Sequence, residues 1–552
     1  MNFKVNESAT KLRGGYYTPP PIARFLSKWV LKNRPQTILE PGCGDGAFVR
    51  AFHGLHEYKL HFTGIEVLEK EAIKANESAS EDQLLDAQII TTDFLEWSLN
   101  QIDANTKFDA VVGNPPYIRY QYLEDDDQRF SELVFNKYHL PFTKHTNAWV
   151  PFVIASIGLL APAGRLAMVI PSELLHVLHA GSLRKFLLTE CSRILLIDPR
   201  ELLFKQALQG VVLLMVEKKC DPNRHSDGVA IVSFPNDQFL ENDPEHFFEN
   251  ANYISGDVLN DKWMKFLLNP NELQLIEKLR TFPAIRQFGD IASVDIGIVT
   301  GANKFFLVDN ATISEYGLEN FAFPMFGRSG HCPGVIYDQS LHLANALNGL
   351  PINFLWFDNT NFEDLPEGAQ EYIRLGESQN LHTRYKCRIR APWYSVPSVY
   401  ATEVSLLKRS HHYPRLILNT AGAFTTDTAY RIRSLGIPGP KLVFSFINSL
   451  TALTSELEGR HYGGGVLELV PSEIEKILVP VPAHVEDNLS ELDTKIRQKV
   501  EADTVLFDQD NLVLRSVGLT KSECVVIHEA WRRIINRRQR LVDDDVDNTY
   551  KE

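Results

Sequence analysis

Short runs of apolar residues alternate with longer amphipathic stretches between Gln36 and about residue 225. The apolar runs predict six strands, with the sequences TILEPG, HFTGIEV, AQIITTDF, FDAVVGNPP, GRLAMVIP and GVVLLMVEK. Helical apolar spacing marks residues 19–32, 46–56, 68–77, 147–160 and 172–189, and Ser172 is typical of a helix cap. This alternation predicts an α/β domain whose doubly wound, mostly parallel sheet carries helices on both faces.

The pattern changes after about residue 225. Irregular, aromatic-rich sequence follows, with strand-like pieces ASVDIGIVTG, KFFLVD and KLVFSFI, and residues 484–540 return to helical spacing in SELDTKIRQKV and SECVVIHEAWRRIINRRQRL. A chain of 552 residues is too long for a single core. We therefore predict an α/β domain over residues 1–250, a mixed α+β domain over 251–483, and a helical C-terminal extension with an acidic tail over 484–552.

For binding to nucleic acid, the distribution of charged residues along the chain matters more than the net charge. A formal net charge of -14 counts against a nucleic-acid partner, because phosphate binding needs clustered Lys and Arg. Acidic residues, however, concentrate at 124–127 and in the tail from Asp543, and Glu403 is the single acid between residues 381 and 420. The same interval holds a set of cations that are candidates for DNA contacts: Arg384, Lys386, Arg388, Arg390, Lys408, Arg409 and Arg415.

Other broad classes are disfavoured by the sequence. No unbroken apolar run approaches the length of a membrane span, and the N-terminal MNFKVNESATKLRGG lacks a basic-then-apolar leader, which predicts a cytoplasmic protein without membrane contact. The six cysteines lie far apart without paired spacing. We therefore expect reduced thiols and no bound metal.

Three successive predicted strands end in groups that suit a nucleotide-like ligand. The first runs into Glu40-Pro41-Gly42-Cys43-Gly44, a glycine-rich turn at the edge where doubly wound sheets bind ligands. The second ends at Glu66-Val67, where a carboxylate can accept hydrogen bonds from two ribose hydroxyls. The third ends at Asp93-Phe94, where Asp93 can accept from an adenine amine and Phe94 can pack on the ring. The order and spacing favour S-adenosylmethionine over a dinucleotide.

The fourth predicted strand delivers Asn114-Pro115-Pro116-Tyr117 at its C-terminal end, facing the expected methyl donor. An amine on an aromatic ring is a poor nucleophile because its lone pair is delocalised, so both N–H groups need nearby acceptors. The side-chain oxygen of Asn114 and the carbonyl of Pro115 can supply them, since the two prolines fix the backbone direction. Tyr117 can stack on the substrate ring. The tetrapeptide predicts methylation of a planar nitrogen; the alternative is a Pro-Pro turn without chemistry.

These residues resemble the adenine-N6 DNA methyltransferases of the gamma arrangement found in restriction–modification systems, with a Taq-like N-terminal domain of the class I methyltransferase fold. Gly15-Tyr16-Tyr17-Thr18-Pro19 is similar to the family's N-terminal motif, which packs against the methionine moiety of the cofactor. The resemblance implies that Phe152 lies beside the cofactor adenine. It also implies that Phe204, in Leu203-Phe204-Lys205-Gln206, stacks on the flipped target adenine opposite Tyr117.

Three later segments, IGIVTGANKFFLV, FPMFGRS at 323–329 and RYKCRIRAPWY, resemble recognition domains of the branch that includes the bifunctional type II and IIG enzymes. The resemblance implies that residues 251–483 recognise a target site in double-stranded DNA, with S-adenosylmethionine as cofactor and base flipping before transfer. We expect a monomer that only methylates, and a separate restriction endonuclease is left open as a partner.

Two alternatives stay open. The same tetrapeptide serves enzymes that methylate ribosomal RNA bases or protein glutamine, although Thr18-Pro19, Phe204 and the large second domain favour adenine in DNA. A non-catalytic DNA-specificity subunit could also retain this fold, and the intact Asn114-Pro115-Pro116-Tyr117 beside an intact cofactor edge argues against it.

Overall fold

The computed structural model describes residues 17–200, 210–255, 262–462, 464–484 and 488–540. The chain folds as two compact units. The described residues as far as Leu267, with Gln539 and Arg540, form the first unit, and Leu268–Arg538 form the second. The domain boundaries proposed after residues 250 and 483 stay predictions. Within the described ranges, no helix has both the length and the apolar character that a membrane span requires.

An eight-stranded sheet organises the first unit. Its strands in chain order are β1 (Thr37–Pro41), β2 (Leu60–Glu66), β3 (Leu85–Thr91), β4 (Phe108–Gly113), β5 (Leu160–Pro171), β6 (Cys191–Pro199), β7 (Val211–Lys218) and β8 (Gly228–Phe234). Their spatial order is β3-β2-β1-β4-β5-β7-β6-β8. Strand β7 runs antiparallel to both of its neighbours, and the other pairs are parallel. The predicted doubly wound, mostly parallel sheet is confirmed.

The helices of this unit are α1 (Pro20–Leu31), α2 (Ala47–Phe52), α3 (Glu69–Ala79), α4 (Phe94–Asp103), α5 (Asp125–Lys137), α6 (Trp149–Leu159), α7 (Gly181–Glu190) and α8 (Pro244–Asn250). Four of the five predicted helices correspond to α1, α2, α3 and α6. The helix start predicted at Ser172 is wrong, because Ser172–Leu175 forms a short 3-10 turn and α7 begins at Gly181. The backbone N–H of Ser172 donates to the carbonyl of Gly210 at 2.9 Å, which ties Ser172 to the residue before β7.

The core of the first unit is built from apolar faces that are buried on both sides of the sheet. Strand β7 begins with six consecutive buried residues, and every residue of α6 is buried, as expected for elements enclosed between other layers. Arg165 is a buried cation within this apolar interior. Arg165 lies over the ring of Trp29, 4.7 Å from its centroid, and forms two hydrogen bonds of 2.8 Å with the carboxylate of Glu245. The charge is therefore paired within the layer where α1 meets the sheet.

The second unit is a mixed α+β structure with several small sheets. The largest has the spatial order Ala292–Ile296, Ala429–Ser434, Val404–Leu407, Leu416–Asn419 and Ile336–Tyr337. The next has the order Leu307–Val308, Asn353–Leu355, Ala322–Phe326 and Phe424–Thr425. A three-stranded sheet joins Arg409–Ser410, Val466–Glu468 and Arg460–Tyr462, and Leu478–Pro480 pairs with Ile285–Gln287. The predicted mixed character is confirmed.

Helices surround these sheets at Pro270–Leu279, Phe288–Ile291, Asn303–Phe306, Asn310–Tyr316, Gln339–Leu347, Glu367–Ser378, Tyr385–Arg388, Gly439–Phe446, Ser449–Glu458, Pro471–Ile474, Leu489–Arg497, Ala502–Gln509 and Lys521–Gln539. The helical pattern predicted toward the C-terminus is confirmed by the last three. The strand predicted from KLVFSFI is wrong, because these residues belong to helix Gly439–Phe446. A short apolar run fits a buried strand or a buried helix equally well, and Pro438 and Pro440 at its start favour the helix.

Candidate active site

Strands β1 and β4 lie side by side and end at the same level of the sheet. Ile38 pairs with Ala110 and Leu39 with Val111, which places Pro41 opposite Gly113. A Cβ on Gly113 would lie 3.4 Å from both the Cδ and the carbonyl oxygen of Pro41, so the two strand ends are in close contact. The glycine-rich turn and Asn114 therefore leave adjacent strands, which are about 4.8 Å apart in a sheet.

The turn after β1 is held against the neighbouring strand β2. The N–H of Cys43 donates to the carbonyl of Ile65 at 2.9 Å, and the N–H of Gly46 donates to the carbonyl of Cys43 at 3.0 Å. Gly46 has a φ of +85° and lies so close to α3 that a Cβ would be 2.9 Å from the Cα of Ala75. A glycine is required there on both counts.

The carboxylate of Glu66 is fixed beside this turn. Its Oε2 accepts a hydrogen bond of 2.9 Å from the N–H of Gly44, and its Oε1 accepts one of 2.8 Å from the N–H of Leu68. Each carboxylate oxygen can accept more than one hydrogen bond, so both can still receive ligand hydroxyls. Val67, the other residue predicted at this strand end, is 62% exposed and presents an apolar surface next to Glu66.

Glu40 is a buried carboxyl group with an unused acceptor. The residue is 2% exposed, and its Oε2 has no hydrogen-bond partner among the described residues. Burial raises the pKa of Glu40 well above its ordinary value, and the nearby Glu66 and Asp45 raise it further. A buried polar atom without a partner costs free energy, so the site is suited to a ligand that brings a cationic or hydrogen-bond-donating group.

Phe152 links two of the predicted cofactor segments. Its Cε1 lies 3.9 Å from the position a Cβ of Gly42 would take, and its ring centroid lies 4.9 Å from that of Phe94. Asp93, just before Phe94, caps α4 by accepting a hydrogen bond of 2.8 Å from the N–H of Glu96 at its Oδ1. Burial raises the pKa of Asp93. The glycine turn, the end of β3 and the start of α6 therefore converge.

The described part of the N-terminal motif, Tyr17-Thr18-Pro19, reaches the same turn. A Cβ on Gly44 would lie 4.0 Å from the Cε1 of Tyr17, so the Tyr17 ring lies beside the turn. Thr18 is buried, and the carbonyl of Pro19 accepts hydrogen bonds from the first N–H groups of α1. Burial and the neighbouring Glu71 carboxylate raise the pKa of Tyr17. The half-exposed ring of Tyr17 lies along one side of the glycine-rich turn.

The segment that begins with Asn114-Pro115-Pro116-Tyr117 is tied to its neighbours by hydrogen bonds. The hydroxyl of Tyr117 donates to the carbonyl of Val169 on β5, and the carbonyl of Ile118 accepts from the N–H of Ala148 at 2.9 Å. Asn147 donates from Nδ2 to the Oε2 of Glu173 at 3.0 Å. Glu173, two residues after the end of β5, was not among the predicted site residues. The predicted stacking residue Phe204 lies outside the described residues.

The seven candidate DNA-contact cations fall into two groups. Four are engaged by the protein itself: Arg390 donates to the carbonyls of Val299 and Thr300, Arg415 donates to those of Pro333 and Gly334, and Lys408 and Arg409 both pair with Glu468. The other three, Arg384, Lys386 and Arg388, are exposed. The predicted cofactor and catalytic residues that the structure describes therefore lie close together. The predicted DNA-contact cations divide into four that the protein itself engages and three that are exposed.

Two family models match the chain. Residues 39–204 match the family described as "Eco57I restriction-modification methylase". Residues 260–514 match the family described as "Type II methyltransferase M.Eco57I, C-terminal domain". The first match contains the sheet edge with the glycine turn and Asn114, and the second contains most of the second unit.

Curated relatives match most of the chain at low identity. Type II methyltransferase M.AccI of Acinetobacter calcoaceticus is 24% identical over 490 residues, which is 84% of this chain and 84% of that protein. Type II methyltransferase M.XamI of Xanthomonas campestris pv. amaranthicola is 22% identical over 483 residues, 85% of each. Among solved structures, the type IIG restriction endonuclease BpuSI covers 96% of this chain and 67% of its own, with 14% identity and a TM-score of 0.44.

Proposed function

Since the chain belongs to the methyltransferases of restriction–modification systems, we propose that it methylates N6 of adenine in duplex DNA and uses S-adenosylmethionine as the methyl donor. The observation that carries the proposal is the pairing of β1 with β4. A ligand-binding turn follows Pro41, and the acceptor tetrapeptide follows Gly113 on the adjacent strand. Donor and acceptor sites one strand apart are what direct methyl transfer requires.

The residues at the sheet edge fit S-adenosylmethionine. When bound, this cofactor supplies an electrophilic methyl group on a positively charged sulfonium. The buried Oε2 of Glu40 offers an acceptor to the cationic methionine end, and Glu66 offers its carboxylate to the ribose. Phe94 and Phe152 supply an apolar, aromatic wall for the adenine ring, with Asp93 as an acceptor at its rim. Tyr17, Thr18 and Pro19 enclose the methionine end.

The tetrapeptide makes the amine nucleophilic. The side-chain oxygen of Asn114 and the carbonyl of Pro115 accept the two N–H groups of the adenine amine, which draws the nitrogen toward a tetrahedral shape and localises its lone pair. Such preorganised acceptors act on charge that develops during transfer, and losing one costs on the order of 3 kcal/mol in the barrier. Tyr117 stacks on one face of the flipped base and Phe204 on the other, and flipping costs a few kcal/mol.

Support for adenine in DNA, rather than another planar nitrogen, comes from residues outside the tetrapeptide. Thr18-Pro19 and Phe204 follow the pattern of the DNA enzymes, and the second unit has the size of a recognition domain. Much of that unit matches a type II methyltransferase C-terminal domain. Enzymes that methylate protein glutamine or ribosomal RNA bases need no such domain.

The test is methyl transfer from tritiated S-adenosylmethionine to unmethylated genomic DNA, followed by single-molecule sequencing of the product. We expect N6-methyladenine at one defined sequence. Asn114→Ala should slow transfer about a hundredfold, because one of the two acceptors is lost. The matched control is Asn100→Ala, which removes an exposed asparagine of α4 and should leave the rate near that of the wild type.

Each other outcome contradicts a specific part of the proposal. Label on cytosine N4, on ribosomal RNA or on protein would overturn the acceptor. Near wild-type transfer by Asn114→Ala would overturn the mechanism. A calorimetric titration that shows no binding of S-adenosylmethionine would instead support a non-catalytic specificity subunit.

A further inference from the structure

We propose that residues 384–389 of the second unit, here called the basic turn, form a contact surface for the phosphate backbone of duplex DNA. The inference rests on the proposed function, because it takes DNA as the substrate, and it deepens that function by naming where the second unit contacts the backbone. The basic turn contains the short helix Tyr385–Arg388 with Arg384 before it and Ile389 after it.

The three cations of the basic turn have no acidic partner. Arg384, Lys386 and Arg388 are exposed, and no carboxylate in the described part of the chain forms an ion pair with them. Two other arginines of the same unit are neutralised, Arg409 by Glu468 and Arg460 by Glu473. The basic turn therefore places three positive charges without an ion-pair partner among the described residues within five positions, in a chain with a net charge of -14.

Two exposed apolar side chains accompany these charges. Tyr385 is 62% exposed and Ile389 is 61% exposed, so neither contributes to a core. The Nζ of Lys386 lies 5.6 Å from the centroid of the Tyr385 ring, and the Cζ of Arg388 lies 5.7 Å from it. The ring therefore holds two cations around itself. A tyrosine flanked by cations suits DNA, since the ring can contact sugars while the cations contact phosphates.

The basic turn is anchored firmly beneath this surface. Cys387 is the single buried residue of its helix, and its thiol lies 3.9 Å from the carbonyl of Thr300. Arg390, just beyond the turn, donates to the same carbonyl at 2.8 Å and to that of Val299 at 2.6 Å. A Cβ on Gly301, which has a φ of +80°, would lie 2.7 Å from the Cβ of Lys386.

This anchoring gives a role to the sequence IGIVTGANKFFLV, which holds residues 299–301. Its backbone carbonyls accept from Cys387 and Arg390, its glycine packs against the Cβ of Lys386, and the three cations stay exposed. A prearranged surface loses less conformational entropy on binding than a mobile loop. Because nonspecific DNA affinity comes from released counterions, each phosphate that a cation neutralises adds about 0.9 to the slope of log affinity against log salt.

The test is a salt titration of binding to a fluorescein-labelled DNA duplex of random sequence, followed by anisotropy. The variant R384Q/K386Q/R388Q should lower the magnitude of the slope by about 2 to 3, because three phosphate contacts are lost. Its matched control, K476Q/K499Q/K521Q, removes three exposed lysines of the same unit and should leave the slope unchanged. Tyr385→Ala should weaken binding at every salt concentration without changing the slope.

The outcomes separate this surface from the proposed function. Suppose that wild-type protein methylates DNA but R384Q/K386Q/R388Q keeps the wild-type salt slope; the basic turn is then not the contact surface. The same conclusion follows if the control variant K476Q/K499Q/K521Q lowers the slope as much as R384Q/K386Q/R388Q does. If wild-type protein binds DNA with the expected difference between the variants but transfers no methyl group, the surface stands and the function fails. Thermal unfolding and binding of S-adenosylmethionine should be the same for both triple variants, because all six substituted residues are exposed and none contributes to the core.

Discussion

The hydroxyl of Tyr117 donates a hydrogen bond to the backbone carbonyl of Val169, with 3.0 Å between the two oxygens. This bond fastens the last residue of Asn114-Pro115-Pro116-Tyr117 to β5, which itself pairs with β4. The orientation of the Tyr117 ring is therefore set by two adjacent strands. Any substrate base that stacks on this ring is oriented by the same contact.

Removal of the hydroxyl alone should have a modest effect. Tyr117→Phe keeps the ring and removes the donor to Val169, so we expect a loss of about 1 kcal/mol and methyl transfer about fivefold slower. Tyr117→Ala removes the ring as well and should slow transfer much more. Single-turnover rates on DNA measure both changes, and equal rates for the two variants would show that stacking on the ring contributes nothing.

The affinity for S-adenosylmethionine should fall as the pH is lowered. This fall should occur at a higher pH than the ordinary pKa of an aspartate would produce. Burial raises the pKa of Asp93 above its ordinary 3.8. An adenine amine is bound best by the ionised carboxylate, so affinity is full above the raised pKa and is lost as the pH falls through it. Calorimetric titrations with S-adenosylmethionine over a pH series test this.

The matched variant for that experiment is Asp93→Asn. An amide oxygen can still cap α4 by accepting from the N–H of Glu96, but it does not titrate. We expect the pH dependence of its affinity to be flatter than that of the wild type. An identical acid limb in both proteins would assign the titration to another group.

The glycine turn should tolerate no side chain at Gly46. Gly46→Ala places a methyl group 2.9 Å from the Cα of Ala75 and requires an unfavourable φ of +85°. We expect a loss of several kcal/mol in the free energy of unfolding, from strain of about 1 to 3 kcal/mol and the clash in addition. Gly54→Ala is the control, because Gly54 has a φ of +66° and no atom of the described residues lies within 4 Å of the position that a Cβ would take there. Urea unfolding should show a larger loss in the free energy of unfolding for Gly46→Ala than for Gly54→Ala. Equal losses would show that contact with Ala75 does not destabilise the variant.

Stability of the second unit should decline at alkaline pH because of His528. Its Nδ1 lies 2.8 Å from the Oγ of Ser449, and its Nε2 lies 3.1 Å from the Oδ1 of Asp503, a carboxylate that also pairs with Arg532. Burial disfavours the charged ring, but Asp503 and Asp510 outweigh it and raise the pKa of His528 to about 9.

The sign of the effect follows from this raised value. The stabilisation is complete below the ordinary pKa of 6.5 and is lost as the pH rises through about 9. Urea unfolding across this range should show a falling free energy of unfolding, and His528→Gln should remove most of the slope. A slope that persists in the variant would assign the pH dependence to other groups.

Much of the first unit could be predicted because its first strands are apolar runs that end in turn residues. The two family models and the relatives that match most of the chain confirm the prediction of a restriction–modification methyltransferase, and adenine N6 as the acceptor stays a proposal. Strand β6 escaped prediction for a physical reason. It begins at Cys191, immediately after α7 ends at Glu190, so no turn residue separates the apolar run from the helix. Helix α5 was not predicted either. It begins with the acidic residues 125–127, and negative charge stabilises the N-terminus of a helix.

The proximity of several candidate site residues could be predicted from the sequence, although their roles stay predictions. Gly42 and Phe94 follow strand ends, as the strand-end argument requires, and Phe152, which the resemblance implied, packs beside both. The partners of Arg390 and Tyr117 could not be foreseen, because both are backbone carbonyls, and a carbonyl acceptor belongs to every residue in the chain. The tertiary structure determines which backbone carbonyl a given side chain contacts.

The antiparallel insertion of β7 has a consequence for biosynthesis. During translation, β3, β2, β1, β4 and β5 can associate as soon as Pro171 has emerged, but the free edge of β5 then waits for Val211–Lys218. Strand β6 emerges earlier than β7 and has no partner until β7 arrives, since among the described strands it bonds only to β7 and β8. The nascent chain therefore passes through a stage in which two apolar strands, β5 and β6, have unpaired edges, which are sites of self-association. Slow elongation over this interval, or a shortage of chaperones that cover such edges, should lower the yield of native protein.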